Sequence, residues 1–569
     1  MSFKPLVLLL AATCVVGASC SSSTKSASSN ASTTTAVAPS TTAVPAVPGG
    51  PYTPTLCPAP TTGTPPVPAT KVPGSTSDYD VTSFDGTKIR VHWFPLPKFP
   101  AGGTAPTLLK GPGWGESGDT NTTSNNFGLF GDLSISALRN AGYNVLTWDP
   151  RGFGKSGGTV ETDSAQYEGR DVEQLISWVA QQPGVELDET GNPRMGMVGA
   201  SYGGGIQLVT AAIDCRVDAI VPQIAWHSLG TSLYPAQTVK SGWGNLLYSA
   251  AAGRPLDPHI TSAYRAGNAT GVLTAEDQQW FIDRGPGDLV SKIKVPTLIE
   301  QGTIDTLFPL EEGVTNYGIL RGDGVPTAML WMCSGHGVCL TNPGTQKLAG
   351  QDALAWLDRY VKNDSKTKVG APFEYVDQNG AEFTADQYPL PAAAPIVADG
   401  TGTLTMVAGG GAGPAHATGN VGALGTAALP ITPGKATHAV NIPITATKAA
   451  YVVGAPTLKL EYSGTTPAGP RPTRVFAQLV DDSTGIVLGN QITPIAVTLD
   501  GKTHTTTVPL EIVAFTAKPG AHLTLQLVAT TVSYANPRLG GTVHFSLVHV
   551  ALPTVTGVTP QVGSTAAVR

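Results

Sequence analysis

Met195-Gly196-Met197-Val198-Gly199-Ala200-Ser201-Tyr202-Gly203-Gly204-Gly205 is the stretch that decides the fold. An apolar run ends in Gly-Ala-Ser-Tyr-Gly, and a second apolar run, Ile206 to Ala212, begins at once. That pattern reads as a strand, a tight turn and a helix with a serine at the apex. A serine held there sits in strained backbone. Side chains two positions to either side would collide with the adjoining strand and helix, so Gly199 and Gly203 are what the turn demands. The start of the helix also leaves the Tyr202 N–H open to a developing oxyanion.

Context matters more than the pattern, because 67 of the 569 residues are glycine and about one Gly-x-Ser-x-Gly match is expected by chance. Gly154-Lys155-Ser156-Gly157-Gly158 is a second match. Ser156 lies in a glycine-rich loop with no apolar helix behind it, whereas Ser201 has both flanks.

Outward from Ser201, strands alternate with helices. A hairpin pairs Asp80–Phe84 with Lys88–Phe94 around Asp85-Gly86. A strand at Thr107–Lys110 leads into the loop Gly111-Pro112-Gly113-Trp114-Gly115, then a helix near Leu129–Ala141. Strand Asn144–Trp148 runs into Asp149-Pro150-Arg151, where Asp149 and Arg151 read as a buried structural pair. A helix at Gly169–Gln181 follows, with Val172, Leu175, Ile176 and Val179 on one face. Strands at Ala219–Ala225, Val295–Gly302 and Ala328–Met332 and a helix at Gln351–Lys362 continue the alternation. The class is α/β, with a parallel sheet over 75–388. Residues 227–291 break the pattern with helical and aromatic sequence. They read either as a lid over the sheet or as a helical excursion whose aromatics are core. On the lid reading Trp226, Trp243 and Trp280 touch substrate.

The character changes after Tyr388. Pro- and Gly-rich sequence over 389–434 reads as a linker, period-2 strands over 435–553 as an antiparallel β-sandwich, and 554–569 as a disordered tail.

A serine hydroxyl needs a base, and the base needs an orienting carboxylate. In α/β-hydrolases these arrive in the order Ser, Asp or Glu, His, each just past a strand's C-terminal end. Gly302-Thr303-Ile304-Asp305 follows one buried strand and Ser334-Gly335-His336-Gly337 follows the next. The catalytic set is therefore Ser201, Asp305 and His336. Asp323 and Asp283 are alternative acids, but neither directly follows a buried strand. The oxyanion hole pairs the Tyr202 N–H with a donor from Gly113 or Trp114, unless the glycine loop is only a tight connection.

At the N-terminus Lys4 precedes a short apolar stretch, Pro5–Ala18, and then Ser19-Cys20-Ser21. Residues 1–20 read as a signal peptide, so the protein is expected to be exported, either secreted or held at the cell envelope. Cys20 is a lipidation candidate; cleavage after Ala18 is the alternative. Residues 21–74, rich in Ser, Thr, Ala and Pro, read as a disordered tether. Of six cysteines, Cys57, Cys215, Cys333 and Cys339 lie beyond this segment. Their pairing is open to three connectivities. Cys333–Cys339 is the most local, and it would clamp a loop around His336. No second histidine lies at ligand spacing for zinc.

Charged residues make up only 13% of the chain, 34 basic against 40 acidic; nothing there suggests a polyanion-binding surface, so nucleic acid is not expected as a partner. No metal motif, phosphate loop or dinucleotide fingerprint occurs, so no cofactor is expected. Membrane contact is expected only through the N-terminal anchor, and oligomeric state is not encoded legibly.

The chain resembles the Xaa-Pro dipeptidyl-peptidase and cocaine-esterase family of α/β-hydrolases. The likeness lies in Asp149-Pro150-Arg151-Gly152-Phe153-Gly154-Lys155-Ser156-Gly157, Trp178, Gly199-Ala200-Ser201-Tyr202-Gly203, Asp305, His336 and Ala355-Trp356-Leu357-Asp358-Arg359-Tyr360. Phe476-Ala477-Gln478-Leu479-Val480-Asp481 resembles that family's C-terminal jelly-roll. The resemblance implies Ser201, Asp305 and His336 as the triad and a helical substrate cap. Two departures stand out. Family members commonly place a tyrosine after the first strand to help form the oxyanion hole, where this chain has Gly113-Trp114-Gly115. Dipeptidyl-peptidase action also needs acids to hold a free amino terminus, for which only Glu276, Asp277 and Asp283 offer themselves. The expected function is an exported serine hydrolase cleaving a small-molecule ester or a peptide through an acyl-enzyme. The alternative is an inert, surface-tethered protein whose sandwich binds glycan or wall material.

Overall fold

A computed structural model of the chain describes residues 66–561, apart from 100–102, 125–130, 132, 346–347, 418, 420, 468–471 and 536–538. The signal-peptide, Cys20 and Cys57 readings fall outside the described residues. The hydrolase body is a mixed sheet of β1 (Ala69–Lys71), β2 (Asp78–Thr82), β3 (Lys88–Phe94), β4 (Thr107–Lys110), β5 (Asn144–Trp148), β6 (Met195–Ala200), β7 (Ala219–Gln223), β8 (Thr297–Gly302), β9 (Thr327–Met332), β10 (Phe373–Val376), β11 (Glu382–Ala385) and β12 (Thr559–Pro560). Their spatial order is β1-β2-β3-β5-β4-β6-β7-β8-β9-β10-β11-β12. The block from β5 to β10 is parallel, and the flanking strands are antiparallel.

Strands β4 and β5, β7, β8 and β9 are buried along their whole length. Sheets covered by helices on both faces bury both sides of their central strands. Successive residues serve opposite faces. Leu146, Met197, Ile220 and Ile299 pack with Val172, Leu175, Ile176 and Ile206, on the helices Glu168–Val179 and Tyr202–Ile213. Val145, Val198, Val221 and Leu298 pack with Ile135, Leu138, Trp356 and Leu357 on the other side. The helix expected near Leu129–Ala141 spans Ile135–Asn140, with Ser134 as its N-cap accepting from the Ala137 N–H.

The insertion between the adjacent strands β7 and β8 is helical, with Leu229–Leu233, Ser241–Ala250, Pro258–Thr270 and Ala275–Ile282. Local chemistry sets its breaks. Asp257 caps Pro258–Thr270, which ends at Gly271 in the left-handed conformation, and Thr274 caps the next helix. Among the described residues no helix is long and apolar enough to cross a membrane.

The C-terminal region is all-β and antiparallel. One sheet orders Ile396–Thr405, Thr542–Leu552, Thr457–Thr465 and His504–Pro509. The facing sheet holds Val440–Ala446, Ala521–Val528, Pro472–Asp481, Ile486–Val487 and Thr493–Thr498. Leu458, Leu460, Val548 and Val550 from the first sheet share a core with Val475, Ile442, Leu525 and Leu527 from the second.

Three boundaries differ from expectation. The stretch read as a linker over 389–434 contains the sandwich strand Ile396–Thr405 and the helix Gly422–Ala428. The stretch read as a disordered tail contributes Thr554–Val555 to a small sheet and β12 to the hydrolase sheet. Strand β1 falls inside the stretch read as tether.

Candidate active site

The turn at Ser201 is built as the glycines demanded. Ser201 has φ 57° and ψ −118°, a conformation few side-chain-bearing residues adopt. A Cβ on Gly199 would stand 2.6 Å from the Gly111 carbonyl oxygen, and one on Gly203 only 2.3 Å from it. The loop after β4 therefore lies directly against the turn. Gln207 holds the turn from inside the helix. Its amide donates to the carbonyls of Gly199 at 3.0 Å and Gly203 at 2.7 Å, and its oxygen accepts from the Val221 N–H. Sequence alone hides Gln207 inside an apolar run, in which Thr210 is the other polar residue.

Three distant residues converge here. His336 Nε2 lies 2.7 Å from Ser201 Oγ, and His336 Nδ1 lies 2.7 Å from Asp305 Oδ2. Asp305 is fully buried. Its Oδ1 accepts from the N–H groups of Leu307 at 3.0 Å and Phe308 at 2.7 Å, and its Oδ2 also accepts from the His336 N–H at 3.0 Å. A buried carboxylate with that many donors is held in one orientation. A Cys333–Cys339 disulfide spans the histidine loop. Cys215 is disulfide-bonded too.

Oxyanion donors sort differently from expectation. The Gly113 N–H goes to Glu116 Oε2 at 3.1 Å, and the Trp114 indole N–H goes to the Leu247 carbonyl at 2.9 Å. Gly113 and the indole are thus engaged elsewhere. The Tyr202 N–H, on the first residue of its helix, and the Trp114 backbone N–H are the remaining candidates.

A cavity of about 130 Å³ opens from Ser201 beneath the insertion, lined by Trp114, Tyr202, Trp226, Tyr248, Tyr264 and Phe308 among others. Tyr248 and Tyr264, from two successive lid helices, stack at 3.8 Å. Of the three tryptophans expected at substrate, Trp226 lines the cavity; Trp243 and Trp280 do not. Trp243 instead stands edge-on to His336 and donates to Thr306 Oγ1. Trp280 packs between His259 and Arg284. The insertion's aromatics are therefore part lid and part core.

Among the lining residues Lys240 is the one lysine, and no carboxylate is present. Burial pulls the Lys240 ammonium below its usual range, and it donates to the Leu307 carbonyl at 3.0 Å. The acids considered for holding an amino terminus, Glu276, Asp277 and Asp283, lie outside that lining. Asp277 accepts from Ser262 and Thr274 and meets His259, Asp283 accepts from Gln279, and Glu276 is exposed.

Behind Tyr202 lies a buried acidic group. Burial pushes Glu168 up to about 8, and burial with Glu168 nearby pushes Asp163 well above the usual range. Asp149 and Arg151 are buried, as expected, but not as a pair. Arg151 grips Asp171 through Nε and Nη2 and reaches Asp85, while Asp149 accepts from the Gly118 and Lys155 N–H groups and meets His92. Among the described residues no group of three or more His, Cys, Asp or Glu side chains is placed to hold a metal ion.

Comparison with known proteins fits this architecture. Structural likeness extends to an alpha-amino acid ester hydrolase (TM-score 0.63, 12% identity, 87% of this chain and 99% of that one). It extends also to an aminopeptidase from a marine sediment Thaumarchaeota archaeon (TM-score 0.62, 13% identity, 88% and 99%) and to a CocE/NonD family hydrolase from Staphylococcus aureus (TM-score 0.60, 14% identity, 84% and 93%). A 31.7 kDa protein from the traX-finO intergenic region of Escherichia coli is 35% identical over 91 residues, which span 30% of its length. Fold and sequence together define an α/β-hydrolase fold. More particularly, residues 85–337 match the family described as X-Pro dipeptidyl-peptidase (S15 family).

Proposed function

We propose that the protein is an exported serine hydrolase that cleaves an ester of a compact apolar acyl group through an acyl-enzyme. Ser201 attacks the carbonyl carbon. His336 Nε2 takes the hydroxyl proton and returns it to the leaving alcohol, while Asp305 keeps the other ring nitrogen protonated. The N–H groups of Tyr202 and Trp114 receive the oxyanion. Water, deprotonated by the same imidazole, then releases the acid. The observation carrying this reading is the imidazole bridging Ser201 Oγ and Asp305 Oδ2 at 2.7 Å on both sides.

The ester preference rests on the cavity. An amino-terminal dipeptide brings an ammonium that needs a carboxylate, and the wall supplies only Lys240. A dry cavity of roughly 150 Å³ holds one benzene ring, so a space of about 130 Å³ suits a ring or a chain of similar bulk. In the cell, Cys20 and the segment after it would tether the enzyme to the envelope. The inert-binding alternative offers no reason for the Ser–His–Asp arrangement.

The test is labelling by a fluorophosphonate probe, with Ser201→Ala as control, followed by turnover of aryl and alkyl esters against Xaa-Pro arylamides. Labelling lost in the variant, with ester turnover dominant, supports the proposal. An unlabelled folded wild type, or faster Xaa-Pro release, overturns it.

A further inference from the structure

The sandwich reaches into the loops that carry the acid and the base. Between Ile486–Val487 and Thr493–Thr498 the chain makes a short turn, Leu488–Asn490, with left-handed backbone at Gly489 (φ 62°) and Asn490 (φ 55°). Leu488, Asn490 and Gln491 are all buried. The Gln491 side-chain amide donates to the backbone carbonyl of Asp305 at 2.7 Å. The Asn490 amide donates to the carbonyl of Val338 at 2.8 Å. Gly489 lies so close to the acid loop that a Cβ there would stand 2.9 Å from the Thr303 carbonyl oxygen. Its N–H donates to Gln378 Oε1 at 2.9 Å. One turn thus grips the loop after β8 and the loop after β9 together, and Thr306 Oγ1 ties those loops to each other by donating to the His336 carbonyl.

We propose that Gln491 and Asn490 are positioning residues, fixing the loops of Asp305 and His336 so that the β-sandwich forms part of the frame of the active site. The inference rests on reading Ser201, His336 and Asp305 as the triad. Loops are the least constrained part of such a fold. Neither amide touches Ser201, the imidazole or the carboxylate; each satisfies a loop carbonyl that would otherwise be buried without a partner. Losing one frees its loop to shift, and displacements of an ångström at a proton-transfer pair cost one to two powers of ten in rate.

The test compares Gln491→Leu with Gln478→Leu in the full chain. Gln478 is buried in the same sandwich but donates to the Gly434 carbonyl and to Gln526, away from both loops. The readouts are kcat and KM on an aryl ester, the low-field proton resonance of the histidine–aspartate pair, and the thermal midpoint. Gln491→Leu is expected to lower kcat about tenfold with KM within about twofold and to shift or broaden the resonance. Gln478→Leu is expected to melt lower with kcat unchanged. Equal kcat and an unmoved resonance in Gln491→Leu overturn the proposal, as does a kcat loss in both variants that tracks their melting. Should Gln491→Leu not fold, Asn490→Gly keeps the left-handed backbone and removes only the bond to Val338, with the same expectations. Turnover surviving in Ser201→Ala sinks the triad itself. A dead Ser201→Ala beside an unaffected Gln491→Leu sinks only the positioning role.

Discussion

Asp305→Asn separates geometry from charge. The carboxylate accepts four N–H groups, two on each oxygen: Leu307 and Phe308 on Oδ1, the His336 backbone and ring on Oδ2. A carboxamide has one oxygen, so one pair must face its NH2. Turning the NH2 toward Leu307 and Phe308 leaves two buried donors unmet, at about 1–3 kcal/mol each. Turning it toward His336 leaves one unmet, because the ring can move its proton and accept at Nδ1. The second arrangement is the cheaper. It places the proton on Nε2, facing Ser201 Oγ, where the ring can no longer take the hydroxyl proton. We expect kcat to fall by about 10⁴, or about 5 kcal/mol of transition-state stabilisation, against a folding cost of about 1–3 kcal/mol. Burst-phase ester hydrolysis and urea unfolding of wild type and variant measure the two. Turnover within about tenfold of wild type, in a variant shown to be folded, would refute the assignment of Asp305.

Gly203→Ala forces a Cβ against the Gly111 carbonyl oxygen, a backbone atom that no rotamer change can move. It should cost about 1–3 kcal/mol and depress kcat by disturbing the oxyanion loop. Gly318→Ala, where nothing lies within 4 Å, should be neutral or stabilising in urea unfolding. Glu168→Gln tests the acid behind Tyr202. Its folded value, about 8 against an ordinary 4.5, means the fold favours the protonated form. Stability from this group is full below 4.5 and is lost as pH rises toward 8, on the order of a few kcal/mol. The variant should flatten the decline in urea midpoint across that window, and an unchanged slope would assign it to other groups.

Residues announced by local grammar were legible. Ser201, Asp305 and His336 each follow a strand end that the sequence marks with apolar runs and glycines. Gln491 lies far along the chain from the loop it serves, and nothing around it marks a contact with an active site. Gln207 was hidden because a single glutamine barely alters an apolar helix pattern. Strand Ile396–Thr405 was misread because Gly400 and Gly402 look like loop punctuation. In the fold they are glycines because Cβ atoms there would stand 2.4 Å from Ile442 Cδ1 and 2.5 Å from Val440 Cγ1. Trp243 and Trp280 share the composition of a lid, and only packing separates those that face substrate from those that support it.

Strand β12 comes after the entire sandwich, yet it pairs with β11 at the edge of the hydrolase sheet. The backbone leaves the first body, builds the second and comes home. No single cut frees the hydrolase intact: stopping at 388 strips β12 from its rim and takes away Val513–Ala517 and Thr554–Val555, whose residues Ala514 and Val555 pack in the same core as Phe373 and Phe383. A ribosome must release the chain through Pro560 before that rim can close. The two parts are thus committed to being inherited, made and unfolded together.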